Sequence, residues 1–339
     1  MIDLIKKYKV LSIILLVVLL LDLTIAALAI IPANKDITSP GGLNEVKSVI
    51  EANTDTNLKG SFNTIYVYSM ERVSLLQALV ADIADYNEVV YSSDTIVLTD
   101  EERIKSGKIQ KAQSIEASLI CAYDAAKSDS INLDYSFIGF IVYMTRVDHD
   151  VFEIGDIITK INDVDTSNIE KLAEELNNLK LGDVITYKRN DNVSTYVVNV
   201  DFKTNNQMFY CYSKYKINTE TASPSYTLHE SNTLGPSGGL MQTLSVYSQI
   251  TGKDLTCGKK IAGTGTISTS GKVGIIGGIS QKIVTAIYNK TDLFLCPAEN
   301  YEEALNTYNK TPGHENMILV KVETFLEAVN ALGEHYENK

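Results

Sequence analysis

The chain has 339 residues, which at roughly 150 residues per domain is room for two domains and an additional segment. Apolar residues make up 45% and charged residues 21%, proportions that exclude wholesale disorder and a polytopic membrane protein. Acidic residues outnumber basic ones by 42 to 30, a formal net charge of −12, and such a body repels phosphate, so nucleic acid is excluded as the main partner.

Residues 1–9 carry Lys6, Lys7 and Lys9, and the run from Val10 to Ile31 that follows is almost unbroken in its apolar character. Its length matches the roughly 20 residues a helix needs to cross a bilayer, so residues 10–32 are predicted to be a transmembrane helix. By the positive-inside rule residues 1–9 stay in the cytoplasm and the body lies outside it, which makes this a single-pass protein of the cell membrane. A cleaved signal peptide is the alternative: Asp22 interrupts the run, and Ala27-Leu28-Ala29 has the small-x-small form of a cleavage site. Both readings export the body.

Pro32, Pro40 and Gly41-Gly42 punctuate a stretch that reads as a short linker. Phe62, Ile65 and Val67 predict a strand after Ser61, and helices are predicted over 75–83 and 115–126. Residues 33–130 as a whole are expected to be an extracytoplasmic segment, and no motif in them indicates a role.

From 131 to 203 the pattern becomes short β runs around one helix: strands at 137–144, 157–161, 184–189 and 195–200, and a helix at 168–179. The stretch Gly155-Asp156-Ile157-Ile158-Thr159-Lys160-Ile161-Asn162 resembles the "GD-I-I…I-N" core of bacterial-type PDZ domains, and Ile138-Gly139-Phe140-Ile141 matches the apolar-Gly-apolar loop with which that family binds peptides. The resemblance implies a small α+β domain that takes an extended peptide by β-augmentation. A spacer of the same fold that binds nothing is the alternative.

Strands and helices alternate from about 205 to the end, with strands at 259–267, 273–276, 293–296 and 317–322 and helices at 278–289, 301–308 and 325–332, which predicts an α/β layer structure over 204–339. The chemistry is expected here. Gly235-Pro236-Ser237-Gly238-Gly239 precedes an amphipathic helix that Gly252 is placed to end. Ser237 has two readings, a helix cap or a nucleophile, and the flanking glycines favour close approach of a carbonyl to backbone amides. Lys282 lies beside the apolar face of the helix after Gly277-Gly278. It is read either as a stem lying along the helix edge with its amine in water, or as a desolvated amine neutral enough to serve as a base.

The region 204–339, most closely Gly235 to Ala298, resembles the proteolytic domain of Lon-type serine peptidases. Their "GPSAG" motif stands here as residues 235–239. Their second block runs from Thr264-Gly265-Thr266-Ile267 through Gly271-Lys272-Val273 to Ile276-Gly277-Gly278-Ile279-Ser280-Gln281-Lys282. The resemblance implies a Ser–Lys dyad of Ser237 and Lys282, supported by Thr264, with Gly238 standing where the family has alanine and Leu234 where ATP-dependent members have an acid. Gly265 to Lys272 is glycine-rich but fails the GxxxxGK[ST] spacing of a phosphate-binding loop.

The whole chain thus resembles the membrane-anchored, PDZ-containing Lon-like proteases of bacteria. That likeness implies an ATP-independent endopeptidase acting outside the membrane on peptides or unfolded proteins, with homo-oligomers possible in the family. An inactive membrane-tethered binding module that keeps the protease fold, and an enzyme whose only target is itself, are the rival readings. Neither a cofactor nor a metal is expected: Cys121, Cys211, Cys257 and Cys296 form no CxxC pair, and His149, His229, His314 and His335 form no HExxH motif.

Overall fold

The computed structural model describes residues 8–93, 97–146, 151–199 and 209–336, and the side chains of 334–336 are left aside. Lys6, Lys7 and His149, and the expected domain boundary at 203/204, lie outside the described residues. In chain order the elements are α1 (Lys9–Ile30), β1 (Lys35–Glu45), β2 (Ile50–Ala52), β3 (Ser61–Met70), α2 (Leu75–Ile83), β4 (Glu88–Tyr91) and α3 (Asp100–Ala125). There follow β5 (Asn132–Thr145), β6 (Ile157–Ile161), β7 (Val164–Asp165), α4 (Ile169–Asn177), β8 (Val184–Arg189), β9 (Asn192–Val197), β10 (Phe209–Ser223) and β11 (Tyr226–Leu228). The last are α5 (Gly239–Thr251), β12 (Lys260–Gly263), β13 (Thr266–Ile267), β14 (Val273–Gly274), α6 (Ile279–Tyr288), β15 (Leu293–Pro297), α7 (Tyr301–Lys310), β16 (Ile318–Val322) and α8 (Phe325–Tyr336).

The chain divides into two compact units, Met1–Gly41 with Val67–Ser92, and Gly42–Tyr66 with Ser93–Lys339. In the first, α1 is apolar all round and buries none of its side chains, as expected of a helix whose solvent is not water. The predicted linker at 34–42 is corrected. Its residues are strand, paired antiparallel with β4 from Lys35↔Tyr91 to Thr38↔Glu88. The ladder satisfies backbone groups that the proline and glycine signals alone would leave in a loop. Ile37, Val73, Ala78 and Ala81 close a small core, and Ser74 with Gln77 forms a capping box that starts α2.

The second unit is built on a parallel run of strands in the order β16-β15-β12-β3. Ile261 sits opposite Phe62 on one side and Leu293 on the other, and Leu293 opposite Ile318. Strand alternation divides the side chains between two layers. Phe62, Ile261, Leu293 and Leu295 join α3, α5 and α8 through Leu119, Leu240, Leu244 and Phe325. Ala262, Phe294 and Cys296 join α6 and α7 through Ile279, Ile283 and Ala304. The segment whose role the sequence left blank therefore supplies an inner strand of this sheet, β3, and a helix of the core, α3.

A second sheet in the same unit runs β10-β5-β6-β8-β9, antiparallel throughout, with β7 paired to β6. Phe140, Ile158, Ile161, Leu172 of α4, Ile185 and Phe209 form its own core. The pairing of β5 with β10 puts strands from the two sides of the expected 203/204 boundary in one sheet.

Candidate active site

Ser237 sits in the tight turn that enters α5. Gly235 takes φ +85 in that turn, and its amide donates to the Gly107 carbonyl of α3 at 3.0 Å. The helix cap is Gly238, with no side-chain cap hydrogen bond, so the capping reading of Ser237 is overturned. Its hydroxyl faces another helix instead. Gly252 ends α5 in the left-handed conformation, as its position in the sequence predicts.

Lys282 lies one turn into α6, whose first residue follows the left-handed Gly278. Its side chain is 2% exposed, which excludes the reading of an amine held in water. Lys282 Nζ donates to Ser237 Oγ at 2.9 Å and to Thr264 Oγ1 at 3.1 Å. Among the described residues no carboxylate lies within ion-pair distance of it. Burial without a counter-charge disfavours the ammonium form and pulls the pKa of Lys282 down to about 7.

Thr264 arrives from β12. The sequence pattern predicts one strand over 259–267, but the structure breaks it between β12 and β13, and the correction matters. Gly265 takes φ +152 there, and a Cβ on it would meet Val273 Cγ1 at 2.8 Å, so only glycine passes. The break turns Thr264 Oγ1 to donate to the Ser237 carbonyl at 3.0 Å while accepting from Lys282. The Gly265 amide donates to the same carbonyl at 2.9 Å. The predicted strand over 273–276 is likewise confined to Val273–Gly274.

The residues that sequence reasoning missed come from α3 and β3. Ser114 Oγ donates to the Pro236 carbonyl at 2.9 Å, Ser118 Oγ to Gly239 O at 2.9 Å, and Lys111 Nζ to Thr233 Oγ1 at 2.9 Å. With Gly107 these form a stripe at i, i+4, i+7 and i+11, a small and polar helix face that a search for apolar periodicity passes over. Gly238 is crowded from two sides: a Cβ there would meet Thr64 Cγ2 of β3 at 3.0 Å and Gln242 Nε2 at 3.2 Å. A cleft of about 490 Å³ opens beside Pro236, with Gln113, Ser114, Tyr212, Tyr215 and Ile267 in its walls.

Ile138, Gly139, Phe140 and Ile141 are not part of this constellation. They lie inside β5, where Gly139, Phe140 and Ile141 pair with Lys214, Ser213 and Tyr212 of β10, and Phe140 and Ile141 also pair with Ile158 and Ile157 of β6. The expected peptide-binding loop is corrected on physical grounds. β-Augmentation needs an unpaired edge, and at Phe140 and Ile141 both sides of the strand are taken.

Compared with known protein families, residues 150–331 match the Lon protease (S16) C-terminal proteolytic domain. The match covers more than half of the chain. The chain belongs to the Lon protease (S16) family. It is a serine protease of the class that works with a Ser–Lys dyad, and its substrates are proteins or peptides. The Lon match begins at 150, within the segment that resembles a PDZ domain, and residues 61–66 of β3 and all of α3 lie outside it although they belong to the same unit.

Proposed function

We propose that this Lon-family chain is an ATP-independent endopeptidase in which Ser237 is the nucleophile, Lys282 the general base and Thr264 the residue that orients the amine. The observation that carries the reading is a lysine residue 2% exposed, without a counter-ion among the described residues, whose amine lies 2.9 Å from a serine hydroxyl. A lysine with a pKa of about 7 is substantially neutral at physiological pH, and a neutral amine at hydrogen-bond distance can accept a proton.

In the first half-reaction Ser237 Oγ bonds to the scissile carbonyl carbon and its proton passes to Lys282 Nζ. Collapse of the tetrahedral intermediate breaks the C–N bond, and the departing amine takes that proton. In the second, water attacks the ester, gives a proton to Lys282, and the acyl–oxygen bond breaks as Ser237 Oγ recovers it. The amide N–H groups of Ser237 and Gly238 have no acceptor among the described residues. They are available to the oxyanion, which prefers donors already aimed at it.

The ATP-independent part of the reading rests on the glycine-rich stretch before Lys272, whose spacing does not fit a phosphate loop. The location rests on α1, a helix long and apolar enough to span a bilayer: read as an anchor with its lysine-bearing end inside, it leaves the catalytic body outside the cytoplasm. We read the β10-β5-β6-β8-β9 sheet as a PDZ-like domain on the strength of the Gly155–Asn162 resemblance alone. The test is phosphonylation by a fluorophosphonate, whose fluoride leaves as the Ser237 Oγ–P bond forms. Full-length protein should be labelled at Ser237 and should cleave an unfolded protein without nucleotide. Labelling at another serine, or a strict requirement for ATP, overturns the assignment.

A further inference from the structure

Helix α2 is built the wrong way round for water. Its alanines, Ala78 and Ala81, turn into the small core with Ile37 and Val73. Its large apolar residues, Leu76, Leu79, Val80 and Ile83, recur at i, i+3, i+4 and i+7 and form one stripe on the opposite side. Leu79, Val80 and Ile83 are 45%, 59% and 84% exposed. A surface helix in water turns such side chains inward, so this stripe calls for an apolar cover.

The place of α2 in the fold says what that cover is. The Leu75 amide donates to the Ile31 carbonyl at 2.8 Å, immediately after the last residue of α1, and Pro32 bridges to Ser74. The stripe therefore starts where the apolar helix ends, and α1 and α2 pack against each other. The polar residues of α2, Gln77 and Asp82, lie off the stripe, and Asp82 pairs with Lys35 at 3.6 Å. Lys35 also sits over the ring of the exposed Tyr91 at 5.9 Å. An aromatic and a cation at the foot of a span are residues of the headgroup level.

We propose that α2 is an interfacial helix, with Leu79, Val80 and Ile83 inserted into the lipid where α1 leaves it. Unit one is then held to the bilayer by a span and by a helix lying at its surface. The proposal rests on the reading of α1 as a membrane span. Its consequence is that α1 does not act as a free tether, because α2 seats the chain at the surface beside the point where α1 ends.

The chain contains no tryptophan, so one introduced residue reports alone. Three full-length variants, Ile83→Trp on the stripe, Gln77→Trp off it and Leu16→Trp within α1, are reconstituted into phosphatidylcholine vesicles with or without bromine on the acyl chains. Leu16→Trp and Ile83→Trp should both lose at least about half of their emission to the brominated lipid, with Gln77→Trp unaffected. Quenching of Leu16→Trp without quenching of Ile83→Trp overturns the proposal and leaves the anchor intact. Absence of quenching at both removes the anchor, and the proposal with it. Blue-shifted emission from Ile83→Trp that bromine does not quench would mean that protein, such as a second copy of the chain, covers the stripe, and also overturns it. Val80→Trp on the same stripe should behave as Ile83→Trp does.

Discussion

Two cationic side chains are held in different ways: Arg189 of the small sheet keeps 30% of its side chain exposed, and Lys282 of α6 is buried. Arg189 Nε and Nη2 donate to Asp156 at 2.8 and 2.7 Å, Nη1 donates to Glu153 at 2.7 Å, and Nη2 also donates to the Val151 carbonyl. Its charge is reinforced by those carboxylates. Lys282 is given only two hydroxyls. A partly exposed cation held by carboxylates stays charged and ties strands together, whereas a buried amine without a carboxylate favours its neutral form and becomes available for chemistry. Deep burial together with the lack of a counter-charge is what separates the reactive amine from the structural ion.

The comparison breaks most visibly if the two are removed in turn. Lys282→Met should lower peptide hydrolysis by about 10⁴-fold or more, as should Ser237→Ala, both read by turnover of a fluorogenic peptide with the chain still folded by circular dichroism. Arg189→Met should do the opposite. It should leave the rate of Ser237 phosphonylation unchanged and cost about 2 to 3 kcal/mol in urea denaturation, because it strands Asp156 while part of the arginine was already in water.

Smaller changes sharpen the contrast. Thr264→Val removes the hydroxyl between Lys282 and the Ser237 carbonyl, and should lower kcat by about tenfold with little change in KM, the size expected for one oriented hydrogen bond. Gly238→Ala crowds the Thr64 methyl and should cost about 1 kcal/mol, recovered in the double variant with Thr64→Ser. Additive effects in that cycle would mean that Thr64 does not account for the glycine.

The meeting of Ser237 and Lys282 was legible because its signals are local. Ser237 and Lys282 each sit in a short motif with its own glycines, and the motifs stand in family order 45 residues apart. The strands of the parallel layer were legible as apolar runs, and α2 as the helix over 75–83, whereas α3, read only from 115, begins fifteen residues earlier at Asp100 behind the capping box of Thr99 and Glu102. What was hidden is contact between distant segments. Nothing local in Ser114 or Thr64 announces the loop each supports, since those contacts form only when β3 enters beside β12 and α3 packs on α5. The stretch 138–141 was misread for the same reason: an apolar-Gly-apolar segment looks alike at a free edge and between two neighbours, and only β10 decides which it is.

Burial of Lys282 also has a sign in stability. An amine whose pKa falls from 10.5 in the unfolded chain to about 7 in the folded one leaves the unfolded state holding more protons between those values. Stability should therefore climb as pH rises from about 7 towards 10, and be at its lowest below 7. Urea denaturation of Lys282→Met across that range should show the climb flattened.

The pH dependence of the rate at which a fluorophosphonate labels Ser237 tests the central claim most directly. A neutral Lys282 as base requires one ascending limb with its midpoint near 7, lost in Lys282→Met. A midpoint near 10, or a rate indifferent to pH from about 5 to 9, would mean that the amine keeps its proton while Ser237 reacts, and that another group is the base.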